Sequence, residues 1–248
     1  MKYIEWLKIW LENYIKPSVK VRTYERYSLI VDKHIAKDLG EYEIKTLSAL
    51  VLQNHITQLL RNGNCKTGKG LSANSVNGII SVLQSSLQTA HLTGVANSYT
   101  ADKIKRPKLI ERPVECFSLA EQKKIEQAIL NGKKDKMYGI LLCLYGGLRI
   151  GELIALQWSD IDFTKGILTV SKSCYDSKNG LIIDEPKTTN SRRLIPLPKQ
   201  LIPLLKTIKQ KSISPFVVSA NGKPVSVRSY QRSFELLLKR LNIPHKGF

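Results

Sequence analysis

The 248-residue sequence predicts a mainly α-helical protein with a small antiparallel β-sheet, divided into two units. Apolar residues recur at helical spacing through the first hundred residues, whereas strand-like runs occur only after Trp158. The length allows two ordinary domains, and an apolar content of 42% is enough to form their cores. A basic, proline-containing stretch lies between the two regions and marks the predicted boundary.

The first unit, residues 1–101, is predicted to be helical throughout. The predicted helices cover residues 1–14, 21–35, 47–63 and 71–94. Ser72 is a suitable N-cap for the longest of them, and Gly63 is a plausible end for the helix before it. The opening segment carries too much charge for a signal peptide, so it is interpreted as an amphipathic core helix and not as a membrane anchor.

Residues 102–113, "DKIKRPKLIERP", are predicted to form an interdomain linker because they hold two prolines and five basic residues with little periodicity. The second unit, residues 114–248, opens with "SLAE", a capping-box pattern for a helix that runs to about Leu130. A second helix is expected from about Asp135 to the Gly146–Gly147 break.

The second unit then changes to strands. "GILTVSKS" and "GLIIDEP" are predicted strands, the pair Asn179–Gly180 indicates a tight turn between them, and "RRLIPLP" is a third strand. Residues 199–210 and 226–244 return to helical spacing, with a short strand and turn between them. This order predicts helices around a small antiparallel sheet.

The charge balance favours a polyanionic partner. The formal net charge is +19. Residues 1–106 hold 15 basic and 8 acidic side chains (+7) and residues 107–248 hold 24 and 12 (+12), so the excess is spread over the chain. Such a field suits nucleic acid or an acidic membrane. Of these two partners, nucleic acid is favoured. No apolar stretch approaches the roughly 20 residues that span a bilayer.

No cofactor or metal is predicted. The four cysteines and four histidines are far apart and show no metal-ligand spacing, which indicates reduced thiols in a metal-free cytoplasmic protein. "GNCKTGKG" has the spacing of a phosphate-binding P-loop up to Lys69. Gly70 follows Lys69, however, so no hydroxyl is available for Mg²⁺, and the loop leaves a predicted helix and not a strand. We interpret it as a basic connector.

Arg149 is the one basic residue of an otherwise apolar run, "LYGGLRIGELIALQW". A guanidinium stays charged at working pH, so placing it near a core requires an anion. Glu152, three residues on, can supply one as a simple helical ion pair. A bound phosphate is the alternative.

Two segments resemble motifs of the tyrosine recombinases, the phage-integrase family. "GLRIGELIALQWSDID" resembles the first active-site box, and "PKTTNSRRLIPLP" resembles a β-hairpin box of the form K-T-x-x-S-x-R-x-I-P-L. The resemblance implies an N-terminal helical, SAM-like core-binding domain. It also implies an α+β catalytic domain of the DNA breaking-rejoining type. Such proteins carry out site-specific recombination, as phage or mobile-element integrases do.

The same resemblance implies the chemistry. In this family a tyrosine attacks a DNA phosphodiester and forms a 3′-phosphotyrosine, without ATP or metal. Arg149 matches the arginine that binds the phosphoryl oxygens, Glu152 matches the residue that orients it, and Lys187 matches the general-acid lysine. An ordinary turn lysine is the alternative for Lys187. The His-x-x-Arg box and the nucleophile are expected after Phe248, so the catalytic domain is expected to be C-terminally truncated and to bind DNA without cleaving it.

Double-stranded DNA, at attachment sites, is therefore the expected partner, with self-association into a tetramer on DNA when the protein is full length. A bacterial host, phage-encoded or not, is the expected setting, with no membrane association. A non-catalytic DNA-binding regulator and a helical protein-interaction domain are the alternatives. Candidate phosphate contacts lie at predicted helix starts, in the linker and after the hairpin. These candidates are Lys20, Arg22, Thr23, Asn74, Ser75, Lys105, Arg106, Arg192, Arg193, Arg228 and Arg232.

Overall fold

A computed structural model describes residues 1–111, 113–132, 135–184 and 192–246. The chain divides into two compact units, Met1–Arg112 and Pro113–Phe248. The predicted fold class, mainly helical with small antiparallel sheets, is confirmed. Within the described ranges, no helix combines the length and the apolar character needed to cross a membrane.

The first unit is formed by five α-helices. They are α1 (Tyr3–Trp10), α2 (Val21–Ile30), α3 (Ala36–Leu39), α4 (Ala49–Asn62) and α5 (Ala73–Leu92). Helices α1 and α2 each continue into a π-helical turn, Leu11–Ile15 and Val31–Ile35, and 3-10 turns occupy Ile44–Thr46 and Ala101–Lys103. The Ser72 hydroxyl accepts a hydrogen bond from the Ser75 amide (3.2 Å), as its N-cap position predicts.

Two buried aromatic side chains of α1, Tyr3 and Trp6, are hydrogen-bonded to Ser86 of α5 in the core of the first unit. Tyr3, Trp6 and Trp10 are buried. The Tyr3 hydroxyl is 2.5 Å from the Ser86 Oγ, and the Trp6 Nε1 donates to the Ser86 carbonyl at 3.0 Å. A serine inside α5 therefore completes the hydrogen bonding that two buried aromatic residues require.

The predicted linker begins too early. Residues 101–103 form a 3-10 turn, and Ile104 lies in the core of the first unit, 6% exposed. The Lys105 amide donates to the Gln53 Oε1 (2.9 Å), and the Asn77 Nδ2 donates to the Pro107 carbonyl (3.1 Å). The first half of the linker is thus fixed to α4 and α5. Ile104 is buried in the core, and the backbone of Lys105 and Pro107 is hydrogen-bonded to side chains of these two helices.

Within its described residues, the second unit contains five further α-helices and seven short strands. The helices are α6 (Leu119–Leu130), α7 (Gly139–Gly146), α8 (Ile150–Ala155), α9 (Leu201–Lys211) and α10 (Val227–Arg240). The strands are β1 (Ile161–Asp162), β2 (Ile167–Val170), β3 (Ser173–Ser177), β4 (Gly180–Asp184), β5 (Arg193–Pro196), β6 (Ser219–Ala220) and β7 (Lys223–Pro224). The capping box at Ser118 and Glu121 is present. The helix predicted from Asp135 begins as a 3-10 turn, Asp135–Tyr138.

The strands pair as three antiparallel groups: β1-β2-β5, β3-β4 and β6-β7. Two details differ from the sequence prediction. The strand predicted over residues 166–173 divides into β2 and the start of β3, and residues 175–177, predicted as turn, belong to β3. A close approach of β3 to α8 explains why the predicted strand divides. A Cβ on Gly151 of α8 would lie 2.6 Å from the Cys174 carbonyl oxygen of β3. Strand β3 therefore packs against α8 and pairs with β4 alone.

A buried histidine in the first unit gives its stability a pH dependence. His55 of α4 is 3% exposed, and its Nδ1 is 3.3 Å from the Asp38 Oδ2. Burial lowers the pKa of His55 below 6.5, and the nearby Asp38 carboxylate only partly opposes this. Because the unfolded chain then binds more protons, this contribution to stability is complete above about pH 6.5 and declines as the pH falls below it.

We expect the stability of wild-type protein to decrease between about pH 6.5 and pH 5, and a His55→Gln variant to lose a large part of that slope. Urea unfolding followed by far-ultraviolet circular dichroism at each pH measures both. His91→Gln, which removes an exposed histidine of α5 in the same unit, is the matched comparison and should keep the wild-type slope. Equal slopes for wild type and His55→Gln would contradict the assignment.

Candidate phosphate-binding site

The turn between α7 and α8 projects Arg149 away from the core. Gly147 ends α7 in the left-handed conformation (φ +61°), and Arg149 is the extended N-cap residue of α8. Its apolar neighbours Leu148 and Leu153 are buried, 5% and 0% exposed. The Arg149 side chain itself is 76% exposed. The free-energy cost of burying a charged guanidinium is therefore avoided, because the apolar neighbours are buried in the core and the guanidinium lies at the surface.

Glu152 provides the anion, and it lies almost out of solvent at 7% exposed. Its Oε2 accepts from the Arg149 amide (2.9 Å), and its Oε1 accepts from the Arg149 Nη1 (3.0 Å). Arg193 of β5 adds two more bonds, from Nη1 to Oε1 (2.9 Å) and from Nη2 to Oε2 (2.8 Å). A single carboxylate thus accepts four donors from two arginines.

The carboxylate of Glu152 remains ionised because these donors outweigh its burial. Burial alone would raise the pKa of Glu152, but hydrogen bonds from Arg193 and Arg149 lower the pKa below its usual value of 4.5. The stabilisation is present above about pH 4.5 and is lost as the pH falls through the lower folded-state pKa.

The arrangement leaves Arg149 able to bind an external anion. Its side-chain hydrogen bond among the described residues is the one from Nη1 to Glu152, so Nε and Nη2 have no partner there. A planar guanidinium, held at one edge and open at the other, suits two parallel hydrogen bonds to phosphate oxygens. Lys187, the predicted general acid, lies outside the described residues.

The β3–β4 hairpin before Lys187 is joined to α10. The Asp176 carboxylate of β3 accepts from the amides of Val227 (3.2 Å) and Arg228 (2.9 Å). These are the first two amides of α10, so a side chain of the protein already occupies this helix N-terminus. The contact fixes the hairpin from which the segment containing Lys187 leaves.

The predicted phosphate contacts occupy exposed positions with two exceptions, Thr23 and Arg193. Arg228 and Arg232 lie one turn apart on the exposed face of α10, Asn74 and Ser75 begin α5, and Lys105 is exposed. Lys20, Arg22 and Arg192 are also exposed, whereas Thr23 is half-buried. Arg193 is half-buried too, and its guanidinium is engaged by Glu152 and, from Nη2, by the Gly147 carbonyl (3.2 Å). The strand pattern agrees, since Arg193 shares a face with buried Ile195.

Sequence reasoning missed Arg26. A Cβ on Gly78 of α5 would lie 2.8 Å from the Arg26 Nη2, so this guanidinium crosses α5 at a residue without a side chain. Arg106 contacts the same helix, donating to the Asn77 carbonyl (3.2 Å), Ser81 Oγ (3.3 Å) and Gln84 Oε1 (2.6 Å). A glycine inside a predicted helix, together with the spacing of Arg22 and Arg26, was the available signal.

No cluster of three or more His, Cys, Asp or Glu side chains suited to a metal ion occurs in the described part of the chain. The last tyrosine of the sequence, Tyr230, is 1% exposed, and its hydroxyl donates to the Lys136 carbonyl at 2.8 Å. Burial raises the pKa of Tyr230 well above 10.0. Tyr230 is therefore a core residue.

Comparison with known proteins agrees with this geometry. Residues 3–60 match the family model for the phage integrase N-terminal SAM-like domain, and residues 118–246 match the phage integrase family model. The chain is 27% identical to a XerC-like tyrosine recombinase of Caldanaerobacter subterraneus subsp. tengcongensis, over 96% of this chain and 67% of that protein. It is 29% identical to the ICEBs1 integrase of Bacillus subtilis, over 77% of this chain and 50% of that protein.

The fold has a counterpart among solved structures. The Tn1549 transposon integrase, in complex with a circular intermediate DNA, aligns with a TM-score of 0.78 at 22% identity, over 100% of this chain and 80% of that one. The helical first unit and the α+β second unit, with an arginine exposed at the α7–α8 turn, define a tyrosine recombinase architecture. The chain belongs to the phage integrase family.

We expect Glu152→Gln to destabilise the second unit by about 2–3 kcal/mol, because it leaves the half-buried Arg193 without its counter-ion. Arg149→Ala removes an exposed partner and should cost less than about 1 kcal/mol. Hydrogen–deuterium exchange of peptides from α8 and β5 measures both changes. A larger effect for Arg149→Ala than for Glu152→Gln would contradict the assignment of Glu152 as the central group.

Proposed function

We propose that this chain is part of an integrase that performs site-specific DNA recombination through a 3′-phosphotyrosine intermediate, for a phage or another mobile element. The observation that carries the proposal is the exposed Arg149 guanidinium, held from behind by the nearly buried carboxylate of Glu152. Family membership and the match between the two sequence boxes and the site support it.

Arg149 is proposed to bind the non-bridging oxygens of the phosphodiester that is cleaved. Negative charge grows on these oxygens as the phosphorus becomes pentavalent, so a permanent cation with two parallel donors stabilises the transition state more than the ground state. Because Glu152 already fixes the guanidinium, little reorganisation is needed when the phosphate arrives. Lys187 is proposed to protonate the leaving 5′-oxygen, which needs a flexible cation within reach.

Both units are proposed to contribute phosphate contacts to the DNA. In the first unit, Arg26 and Arg106 flank a stripe of small, exposed α5 residues that includes Asn74, Ser75 and Ser81. A helix with short side chains and cations beside it fits a DNA groove between two phosphate strands. In the second unit, Arg228 and Arg232 supply a further basic face. Assembly into a tetramer on DNA is proposed for the whole protein.

The affinity for duplex DNA should fall steeply with salt, with a slope of log K against log [salt] of about −0.9 for each phosphate contact. Arg26→Ala and Arg232→Ala should each reduce the magnitude of that slope by about 1. Fluorescence anisotropy with a labelled duplex between 50 and 300 mM KCl, roughly the range in which such contacts are lost, measures this. The exposed Lys37 of α3 gives the control, since Lys37→Ala should leave the slope unchanged. A nearly flat salt dependence would contradict the DNA proposal.

The 248-residue chain is proposed to bind DNA without cleaving it. No residue of its sequence occupies the place of a His-x-x-Arg box, and Tyr230 is buried. A nicked suicide substrate incubated with the chain should therefore give no protein–DNA adduct on a denaturing gel. An adduct would refute this part of the proposal and leave DNA recombination in place. An extended chain that includes a downstream His-x-x-Arg box and tyrosine is the comparison, and a non-catalytic regulator would form no adduct with either.

A further inference from the structure

We propose that Arg193 is a positioning residue, which holds Glu152 and the α7–α8 turn so that Arg149 presents its free edge to a DNA phosphate. This proposal rests on the proposed function only in its statement about DNA. Arg193 lies 44 residues after Arg149, on β5 and not on the helices that carry Arg149 and Glu152.

Three hydrogen bonds from one guanidinium carry this inference. Arg193 donates from Nη1 to the Glu152 Oε1 (2.9 Å) and from Nη2 to the Glu152 Oε2 (2.8 Å), a two-pronged contact with both carboxylate oxygens. Its Nη2 also donates to the Gly147 carbonyl (3.2 Å), at the residue whose left-handed backbone ends α7. Arg193 therefore joins both sides of the turn from which Arg149 projects.

The exposed fractions of the Arg149, Arg193 and Glu152 side chains indicate a different role for each. Arg149 is 76% exposed, Arg193 is 30% exposed and Glu152 is 7% exposed. Arg193 uses its donors on the protein, whereas Arg149 keeps Nε and Nη2 without partners among the residues described. With two cations around one carboxylate, the cluster keeps a net positive charge for a phosphate. Without Arg193, Glu152 would lose two of its four donors and the α7–α8 turn would lose its bond to the Gly147 carbonyl, so the support that orients Arg149 would loosen.

The position of Arg193 also relates the two sequence boxes to each other. It begins β5, directly after the segment that contains Lys187, and β5 pairs with β2 from Arg193–Val170 to Pro196–Ile167. Its contact with Glu152 thus fixes the start of β5 against the α7–α8 turn. Asp176 fixes the hairpin that precedes the segment, through α10. A lysine cannot replace Arg193 fully, because one ammonium does not span two carboxylate oxygens and a carbonyl.

The first test needs no DNA. The Nε–Hε signal of Arg149, assigned by its loss in Arg149→Lys, reports the order of this side chain in ¹⁵N relaxation of the 248-residue chain. Arg193→Met should reduce the Arg149 order parameter to the value of unrestrained surface arginines, and Arg193→Lys should give an intermediate value. Arg240→Met, which removes one exposed charge from α10, is the matched control and should leave it unchanged. An unchanged Arg149 signal in folded Arg193→Met and Arg193→Lys would overturn the proposal.

The second test measures the contact with phosphate. A duplex selected by the wild-type chain from a random library is remade with a neutral methylphosphonate at single positions. The position that Arg149 contacts is the one whose substitution weakens wild type by about tenfold yet leaves Arg149→Ala unaffected. Arg193→Met should abolish the penalty at that position, Arg193→Lys should reduce it, and Arg240→Met should keep it. If Arg193 had a merely structural role, Arg193→Met would bind the unmodified duplex and the methylphosphonate duplex more weakly by the same factor. The roughly tenfold difference between the two duplexes would then persist.

The outcomes separate the two proposals. If no duplex is selected, or no position responds to Arg149→Ala, the DNA proposal fails, and the relaxation test still decides the role of Arg193. If Arg193→Met does not fold, the Lys variant decides in both measurements, because it keeps the charge and changes only the geometry of the contact. A full wild-type penalty together with wild-type order in Arg193→Lys would then refute the positioning role.

Discussion

The site depends on one carboxylate that is nearly removed from water and shared by two guanidiniums. Isolated burial of Glu152 would be costly, and an isolated Arg149 at the surface would sample many orientations. Together with Arg193 they satisfy one another, since both oxygens of Glu152 accept two donors each. The result is a cation that is exposed and already oriented. A phosphate that meets it does not bear the entropy cost of fixing the side chain.

The surrounding fold maintains this cluster through close backbone approaches. Gly147 turns the chain so that Arg149 can be extended, and Gly151 lets α8 contact β3 at Cys174, where a larger residue would collide. Strand β5 brings Arg193 to the same place through its antiparallel pairing with β2. The α7–α8 turn and β5, which are distant in sequence, therefore converge on one charge. Arg193, in the second of the two sequence boxes, thereby contacts Glu152 in the first, although 23 residues lie between the quoted segments.

The first unit differs from the second in that a compact helical core carries a basic surface. Tyr3 and Trp6 of α1 are hydrogen-bonded to Ser86 in the interior, whereas Arg26 and Arg106 lie at exposed positions. Arg26 and Arg106 cross α5 at Gly78 and Ser81, positions where small residues leave room. The spread of charge over both units is thus a structural feature as well as a compositional one.

The sequence alone determined the helices, the capping serines, the tight turn near Gly180 and the family, because these depend on local periodicity and on short motifs. It also paired Arg149 with Glu152, since three residues separate them on one helix. It could not assign Arg193, which the hairpin motif contains but whose partner lies 41 residues away, nor the fixed first half of the linker, nor the break between β2 and β3. Those features follow from packing between distant segments, and only the tertiary structure decides which side chains meet there.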